Sequence, residues 1–197
     1  MNRTLLNVLG IVVFALHASA SLAEHRHDLN SLLKGKYRFT FHQTCTYSQA
    51  GFLTDPPGGD VLGFAQTGVD YIDGVVKFDG DGTMTLTEKG VFQNHGGSNP
   101  GFFPIATYFD ICAGTYQVES DLSFSYELSC TVKLLTGFNA GSTISIDGLR
   151  LTGQIDRDRD TYIASNVTGA VQTMTFSTGF VNQRICGGET TGVKLSK

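Results

Sequence analysis

Residues 75–87 have the sequence VVKFDGDGTMTLT, in which two short alternations of apolar and polar residues flank a glycine-rich turn. Apart from Val75, the apolar side chains fall on even positions, at Val76, Phe78, Met84 and Leu86. Successive side chains of a β-strand point to opposite faces, so this period of two predicts an antiparallel hairpin with one buried face. The same rule, applied along the chain, predicts the fold class.

The alternation is clearest between Leu122 and Leu134, where apolar residues and Cys130 take the even positions and polar residues take the odd ones. Similar strands are predicted at Tyr37–Cys45, Val69–Ile72, Ile105–Val118 and in several segments after residue 143. Asp73-Gly74 is expected to form a turn or bulge, and the change of parity at Asp147-Gly148 predicts a second bulge.

Many short strands without an amphipathic helix predict an all-β fold, and we expect a single antiparallel, roughly eight-stranded β-barrel. A β-sandwich is the alternative. The barrel is preferred because closing one sheet on itself removes exposed strand edges. Serine, threonine, lysine and glutamate dominate the presumed outer face, which predicts a soluble barrel rather than an outer-membrane one.

The N-terminus has the layout of a secretory signal peptide. Arg3 precedes an apolar run from Leu5 to Leu16, and a small-residue cleavage motif ends at Ala23. Such a run is short for a membrane span. We therefore expect residues 1–23 to be a signal peptide and residues 24–197 to be one barrel domain. The protein is expected to be exported, to the periplasm or outside the cell, with no integral membrane span after cleavage.

The charge pattern argues against a polyanionic partner. The chain has 14 basic and 18 acidic residues, a formal net charge of −4, and its basic residues are scattered. Nucleic-acid binding requires a basic stripe, so no nucleic-acid partner is expected.

The four cysteines are expected to form two disulfides, because an even count in an exported chain is typical of structural cross-links. A three-residue turn at residues 120–122 would place Cys112 opposite Cys130. In a closed meander the first and last strands are neighbours, which would bring Cys45 to Cys186. Three pairings are formally possible, and this one is favoured. Because no Cys-x-x-Cys pair occurs, a zinc site is not expected.

The motif Phe78-Asp79-Gly80-Asp81-Gly82, followed by GTYQV at residues 114–118, resembles hairpins of a broad group of secreted bacterial proteins. At the level of the fold this chain is similar to calycin or allene-oxide-cyclase-type barrels. Gly35-Lys36-Tyr37 resembles the Gly-x-Trp signature of lipocalins, with tyrosine in place of tryptophan. The resemblance implies a barrel with a possible internal cavity and carries over no catalytic residue.

No metal ion or cofactor is predicted. Asp79-Gly80-Asp81-Gly82 begins like a calcium loop, but Met84 and Gly90 stand where an EF-hand requires glycine and glutamate. We interpret it as a hairpin turn with Gly82 in the left-handed conformation. Asp156, Asp158 and Asp160 alternate with arginines and are interpreted as a solvated turn.

Candidate ligand-binding residues come from the inward-facing strand positions and from two long irregular segments. Inward aromatic side chains fill the core of a small barrel or line a pocket with tyrosine hydroxyls as polar groups. Asp110 shares the inward parity of Cys112, as a buried acid or as a solvated residue at a barrel end. The candidates are Tyr37, Phe39, Tyr116, Phe124 and Tyr126 on strands, with His95, Phe102 and Phe103 in a loop at the mouth.

Three functions are compatible with these patterns. The first is an exported barrel that binds a small apolar or aromatic ligand, or a protein partner, at a loop-capped mouth. The second is an isomerase or cyclase of the allene-oxide-cyclase type, which requires an inward ionisable residue in a cavity. The third is a structural surface protein without a pocket. No nucleophile, phosphate-binding or metalloprotease motif is present to favour another enzyme class, and no catalytic residue is assigned.

Overall fold

The computed structural model describes residues 29–53, 61–63, 65–95, 105–137 and 139–195. Within these residues, a short 3₁₀ segment at Ser31–Leu33 precedes nine antiparallel strands. The strands are β1 (Gly35–Ser48), β2 (Ala65–Phe78), β3 (Thr83–His95), β4 (Ile105–Val118), β5 (Ser123–Leu134), β6 (Thr143–Ile155), β7 (Thr161–Asn166), β8 (Val171–Phe176) and β9 (Val181–Lys194).

The strands form one closed barrel. Each of β1 to β6 pairs with the next strand in the chain, and β9 pairs with β1. The closing pair confirms the predicted eight-stranded antiparallel barrel and excludes the β-sandwich. The architecture is consistent with a calycin-like barrel. The helical part that the structure describes is far shorter than a membrane crossing requires.

Nine strands fill eight positions because β7 and β8 lie end to end. Both are antiparallel to β6 on one side and to β9 on the other. The interruption at residues 167–170 lies beside the bulge of β6, where the register with β5 shifts between Leu128 and Cys130. Gly148 takes a φ of 80° at this bulge, a conformation that glycine adopts without strain. The predicted bulge at Asp147-Gly148 is confirmed.

The β4–β5 hairpin has the predicted register, and the glycine-rich turn has the predicted left-handed glycine. Tyr116 lies opposite Tyr126 and Cys112 lies opposite Cys130, with the chain turning at residues 120–122. In the glycine-rich turn Gly82 has a φ of 101°, and the Asp81 Oδ1 atom accepts a hydrogen bond from the Thr83 backbone N–H at 2.9 Å. The Asp81 carboxylate therefore stabilises the turn. Among the described residues no group of acidic, histidine and cysteine side chains could hold a metal ion.

The expected turn or bulge at Asp73-Gly74 is wrong, because β2 continues through both residues without a break. A Cβ at Gly74 would lie 2.8 Å from the Phe39 ring. The glycine makes room for an aromatic side chain of the neighbouring strand, and it does not bend the chain.

Both disulfides match the predicted pairings. Cys45 is bonded to Cys186 across the β1–β9 pair, at a sequence separation of 141. Cys112 is bonded to Cys130 across β4 and β5, at a sequence separation of 18. The first cross-link joins the two ends of the meander, and the second fixes the register of one hairpin.

The end of the barrel where β1 begins is sealed by aromatic packing. Phe78 contacts Tyr37, Tyr116 and Tyr162 edge to face, with ring centroids 4.9–6.0 Å apart. Above them, Asn30 closes the end: its Oδ1 atom accepts a hydrogen bond from the Val118 N–H at 2.8 Å. Edge-to-face rings add stability beyond that of the buried area alone.

Candidate functional site

A cavity of about 680 Å³ occupies the other half of the barrel interior. Its lining includes residues from the connections at the opposite end, among them Gln49, Asn139 and Thr178. The volume falls in the range of ordinary small-molecule sites, about 300–1,000 Å³. The interior is thus divided into a filled half beside the 3₁₀ segment and a hollow half toward these connections, which form the mouth.

One wall of the cavity is apolar. It is built from inward side chains of β3 to β6 and of β8, alternating with polar residues on the outer face. Its members are Leu86, Leu128, Val132, Ile144, Ile146, Leu149, Leu151 and Met174, together with the Cys112–Cys130 disulfide.

The other wall carries a buried polar cluster, from β1 to β4 and β9. It consists of Asp70, Glu88, Asp110 and Arg184, with Gln43, Tyr47 and Tyr108 around them and with Gln172 contributed by β8. Each of the four charged residues is at least 92% buried. Buried charges are costly unless they are paired and hydrogen-bonded, so this cluster is unusual for a barrel core.

Asp70 and Arg184 form the paired half of the cluster. The Arg184 Nη1 atom lies 3.7 Å from the Asp70 Oδ2 atom, and Arg184 Nε donates to the Gln172 Oε1 atom at 2.7 Å. Gln43 Nε2 donates to Asp70 Oδ2 at 3.2 Å, and the Tyr108 hydroxyl donates to Asp70 Oδ1 at 3.2 Å. Burial raises the pKa of Asp70, whereas these three partners act against that rise. Two hydrogen-bond donors and one nearby cation favour the carboxylate form.

Glu88 and Asp110 form the second half, and they face each other across β3 and β4. Burial, and then the charge of the neighbouring Asp110, raise the pKa of Glu88 well above its ordinary value. Burial also raises the pKa of Asp110, to about 7. Two carboxyl groups in contact cannot both ionise easily, so the pair shares a proton near neutral pH.

Asp110 has an unusual feature within this pair. Its Oδ1 atom is fully buried and accepts no hydrogen bond from the residues that the structure describes. The residue is 4% exposed and lines the cavity. Buried polar atoms in native proteins are nearly always satisfied, so an empty acceptor beside a cavity marks a place for a ligand or water.

The structure divides the strand residues predicted from sequence into two groups. Phe39 and Tyr126 line the cavity. Tyr37, Tyr116 and Phe124 belong to the packed half, where the Tyr37 hydroxyl donates to the Arg159 carbonyl at 2.9 Å and the Tyr116 hydroxyl donates to the Asn30 carbonyl at 3.0 Å.

Of the three residues predicted at the mouth, the structure describes one. His95 is the last residue of β3, and this strand end lies at the mouth. Phe102 and Phe103 lie outside the described residues.

Sequence reasoning missed Asp70, Glu88 and Arg184 as inward groups. All three share the parity of apolar residues on their own strands: Asp70 that of Ile72, Glu88 that of Leu86 and Arg184 that of Cys186. The parity rule was the signal that could have found them. Asp110 was recognised as inward, and its alternative of a solvated position at a barrel end does not hold, since it is buried.

Comparison with known proteins returns no matching family model, no matching curated protein and no matching solved structure.

Proposed function

We propose that this protein is an exported barrel that binds a small, mostly apolar molecule in its cavity. The observation that carries the proposal is the division of the cavity into an apolar wall and a buried polar cluster with an empty acceptor. Binding sites of this kind use apolar surface for affinity and a few polar groups for orientation. The signal-like N-terminus and the two disulfides support export to an oxidising compartment.

The aromatic side chains at the cavity suit a ligand with rings or an extended chain. Tyr47 and Phe92 pack edge to face with ring centroids 5.4 Å apart, and both line the cavity. Phe176 and Phe180 contribute a second pair near the mouth, with centroids 5.3 Å apart. A purely structural barrel gains nothing from a hollow interior, because empty space forfeits van der Waals contacts.

The binding proposal is tested with N-phenyl-1-naphthylamine, a neutral dye whose fluorescence rises in apolar surroundings. The full chain should bind it saturably, and native mass spectrometry should detect a ligand retained from the expression host or added later. Leu128→Phe projects a larger side chain into the cavity and should weaken dye binding. Ser129→Phe, on the outer face of the same strand, is the matched control. A protein that binds no probe and carries no ligand would contradict the proposal.

A second candidate is an isomerase or cyclase, and the Glu88–Asp110 pair favours it. A carboxylic acid beside a carboxylate supplies a general acid and a general base at one place. The structure meets the requirement of that hypothesis for inward ionisable residues in a cavity.

The test of catalysis is proton transfer in a β,γ-unsaturated cyclic ketone, followed by the absorbance of its conjugated isomer. Asp110→Asn should abolish turnover while dye binding persists. Equal rates for the variant and the unaltered protein would remove this candidate.

A further inference from the structure

The described residues that line the cavity have an unbalanced charge. They include three carboxyl groups, those of Asp70, Glu88 and Asp110, and one cationic side chain, that of Arg184. Arg184 is committed to its neighbours, since its donors reach Gln172 at 2.7 Å and Tyr47 at 3.4 Å and its Nη1 atom lies 3.7 Å from Asp70. The Glu88–Asp110 pair is therefore left without a dedicated positive partner.

The geometry of the pair points in the same direction. Glu88 and Asp110 are cross-strand neighbours, so their side chains project together from the wall. Asp110 Oδ1 is buried and accepts no hydrogen bond from the described residues. An ionised carboxyl group can only accept hydrogen bonds. The group that completes this site must donate hydrogen bonds, and a positive charge on it would also balance the carboxylates.

We infer that the ligand of this cavity is a cationic amine, with its ammonium group bound between Asp110 and Glu88 and its apolar body against Leu128, Ile146 and Leu149. The inference rests on the proposed binding function and specifies the chemical class of the ligand. An ammonium offers up to three N–H donors, and charge-assisted bonds to carboxylates are stronger than neutral ones. Atoms of the apolar body would supply the van der Waals contacts that the side chains around the hollow half lack.

The site should exchange a proton for the cation. Burial raises the pKa of both carboxyl groups, and an ammonium between them would lower it, so binding releases the shared proton to solvent. Other ionisable groups also interact electrostatically with the pair: Asp70 from β2, Tyr108 from β4, Tyr126 from β5, Tyr162 from β7 and Arg184 from β9. Burial raises the pKa of each of these four tyrosine and aspartate side chains, with no second cation among them.

The first test compares three ligands that share one apolar body: decylamine, decan-1-ol and decanoic acid. Each ligand is titrated at pH 7 against the full chain with bound N-phenyl-1-naphthylamine, and the loss of dye fluorescence gives its affinity. We expect decylamine to bind about tenfold or more tightly than decanol, and decanoic acid to bind most weakly. Displacement by all three with equal affinity would overturn the inference and leave the binding function standing. Tightest binding of decanoic acid would assign the polar end to Arg184 and also overturn the inference. Failure of all three, and of the dye, would overturn both.

The second test uses the carboxyl pair itself. Glu88→Gln/Asp110→Asn should lose the preference for decylamine over decanol, with both affinities measured against the variant's own affinity for the dye. Glu127→Gln removes an exposed carboxylate from the outer face of β5 and should keep the preference. A double variant that still prefers the amine would overturn the inference.

Calorimetry of decylamine binding provides a measurement that needs no variant. In buffers of different ionisation enthalpy, the unaltered protein should release close to one proton per bound amine near pH 7. No proton release would overturn the inference.

Discussion

The ring of Tyr108 lies across the backbone of Gly90 on the neighbouring strand, in the space that a side chain at position 90 would fill. This position lets the Tyr108 hydroxyl reach over β3 to donate to Asp70 on β2 at 3.2 Å. A Cβ at residue 90 would overlap the tyrosine ring and its hydroxyl. The absence of a side chain on one strand thus creates a hydrogen bond between the two strands beside it.

Gly90→Ala should therefore destabilise the barrel. The methyl group displaces the Tyr108 ring and leaves Asp70 with one buried acceptor unpaired, so we expect the free energy of unfolding to fall by roughly 2–4 kcal/mol. Urea denaturation followed by circular dichroism measures the change. Gly187→Ala is the control, because a Cβ there would meet no atom within 4 Å. Equal stability of the two variants would contradict the role assigned to this contact.

Removal of Arg184 should be more damaging than removal of an exposed arginine. Arg184→Met leaves the Asp70 carboxylate buried without its cation, and breaking a buried ion pair typically costs about 3–5 kcal/mol. Arg38→Met breaks the exposed pair with Asp73, at 3.0 Å, and should cost far less, because exposed ion pairs contribute little to stability. Chemical denaturation of both variants tests the difference.

The double variant Asp70→Asn/Arg184→Met removes the unpaired carboxylate of Asp70 as well as the arginine. It should be more stable than Arg184→Met alone, since the buried carboxylate causes most of the loss. A double variant no more stable than the single one would show that packing of the arginine, and not charge, dominates.

The Glu88–Asp110 pair should make the folded barrel sensitive to pH. Ordinary carboxyl groups in the unfolded chain have pKa values near 4, whereas burial raises the pKa of Glu88 well above that range and that of Asp110 to about 7. The folded state therefore binds more protons between these values. The stabilisation is fully present below pH ~4, and the free energy of unfolding falls as pH rises toward about 7.

Denaturation at pH 5 and pH 8 measures this effect. Glu88→Gln/Asp110→Asn cannot titrate at this site, so its free energy of unfolding should change less between the two pH values than that of the unaltered protein. The difference between the two changes should be roughly 1–3 kcal/mol. Glu127→Gln should retain the full dependence. Parallel pH profiles for all three proteins would show that the pair does not titrate in this range.

The two disulfides should differ in their contribution to stability. Chain-entropy estimates give about 5 kcal/mol for a loop the length of that closed by Cys45–Cys186 and about 3 kcal/mol for that of Cys112–Cys130. We expect Cys45→Ala/Cys186→Ala to lower the free energy of unfolding further than Cys112→Ala/Cys130→Ala does. Urea denaturation of the two double variants checks the order, and a reversed order would indicate that local packing outweighs loop length.

The alternation of apolar and polar residues was sufficient to predict the barrel, one hairpin register and both disulfides. Tyr116 opposite Tyr126 followed from one turn length and the requirement that buried residues face each other. The unbroken course of β2 through Asp73-Gly74 did not follow, because Gly-containing pairs are common in turns. That glycine has a packing reason, the Phe39 ring of β1, which local sequence does not contain.

The candidate site was predicted only in part for a similar reason. Aromatic residues at inward positions were identified, but spacing along a strand does not indicate which end of the barrel is filled. Tyr37 and Phe39 are two residues apart on β1, yet only Phe39 lines the cavity. The carboxyl groups could be assigned to the interior by parity, whereas the pairing of Arg184 with Asp70 joins residues 114 positions apart in sequence.

The sealed end of the barrel has a kinetic consequence. Because Phe78, Tyr116 and Asn30 fill that end, the cavity is closed there, and a ligand bound as we propose would have to leave by the path along which it entered. Its residence time would then be governed by the segments around the mouth. Substitutions of Phe78 or Tyr116 should change the stability of the barrel, and they should leave the dissociation rate of the ligand largely unchanged.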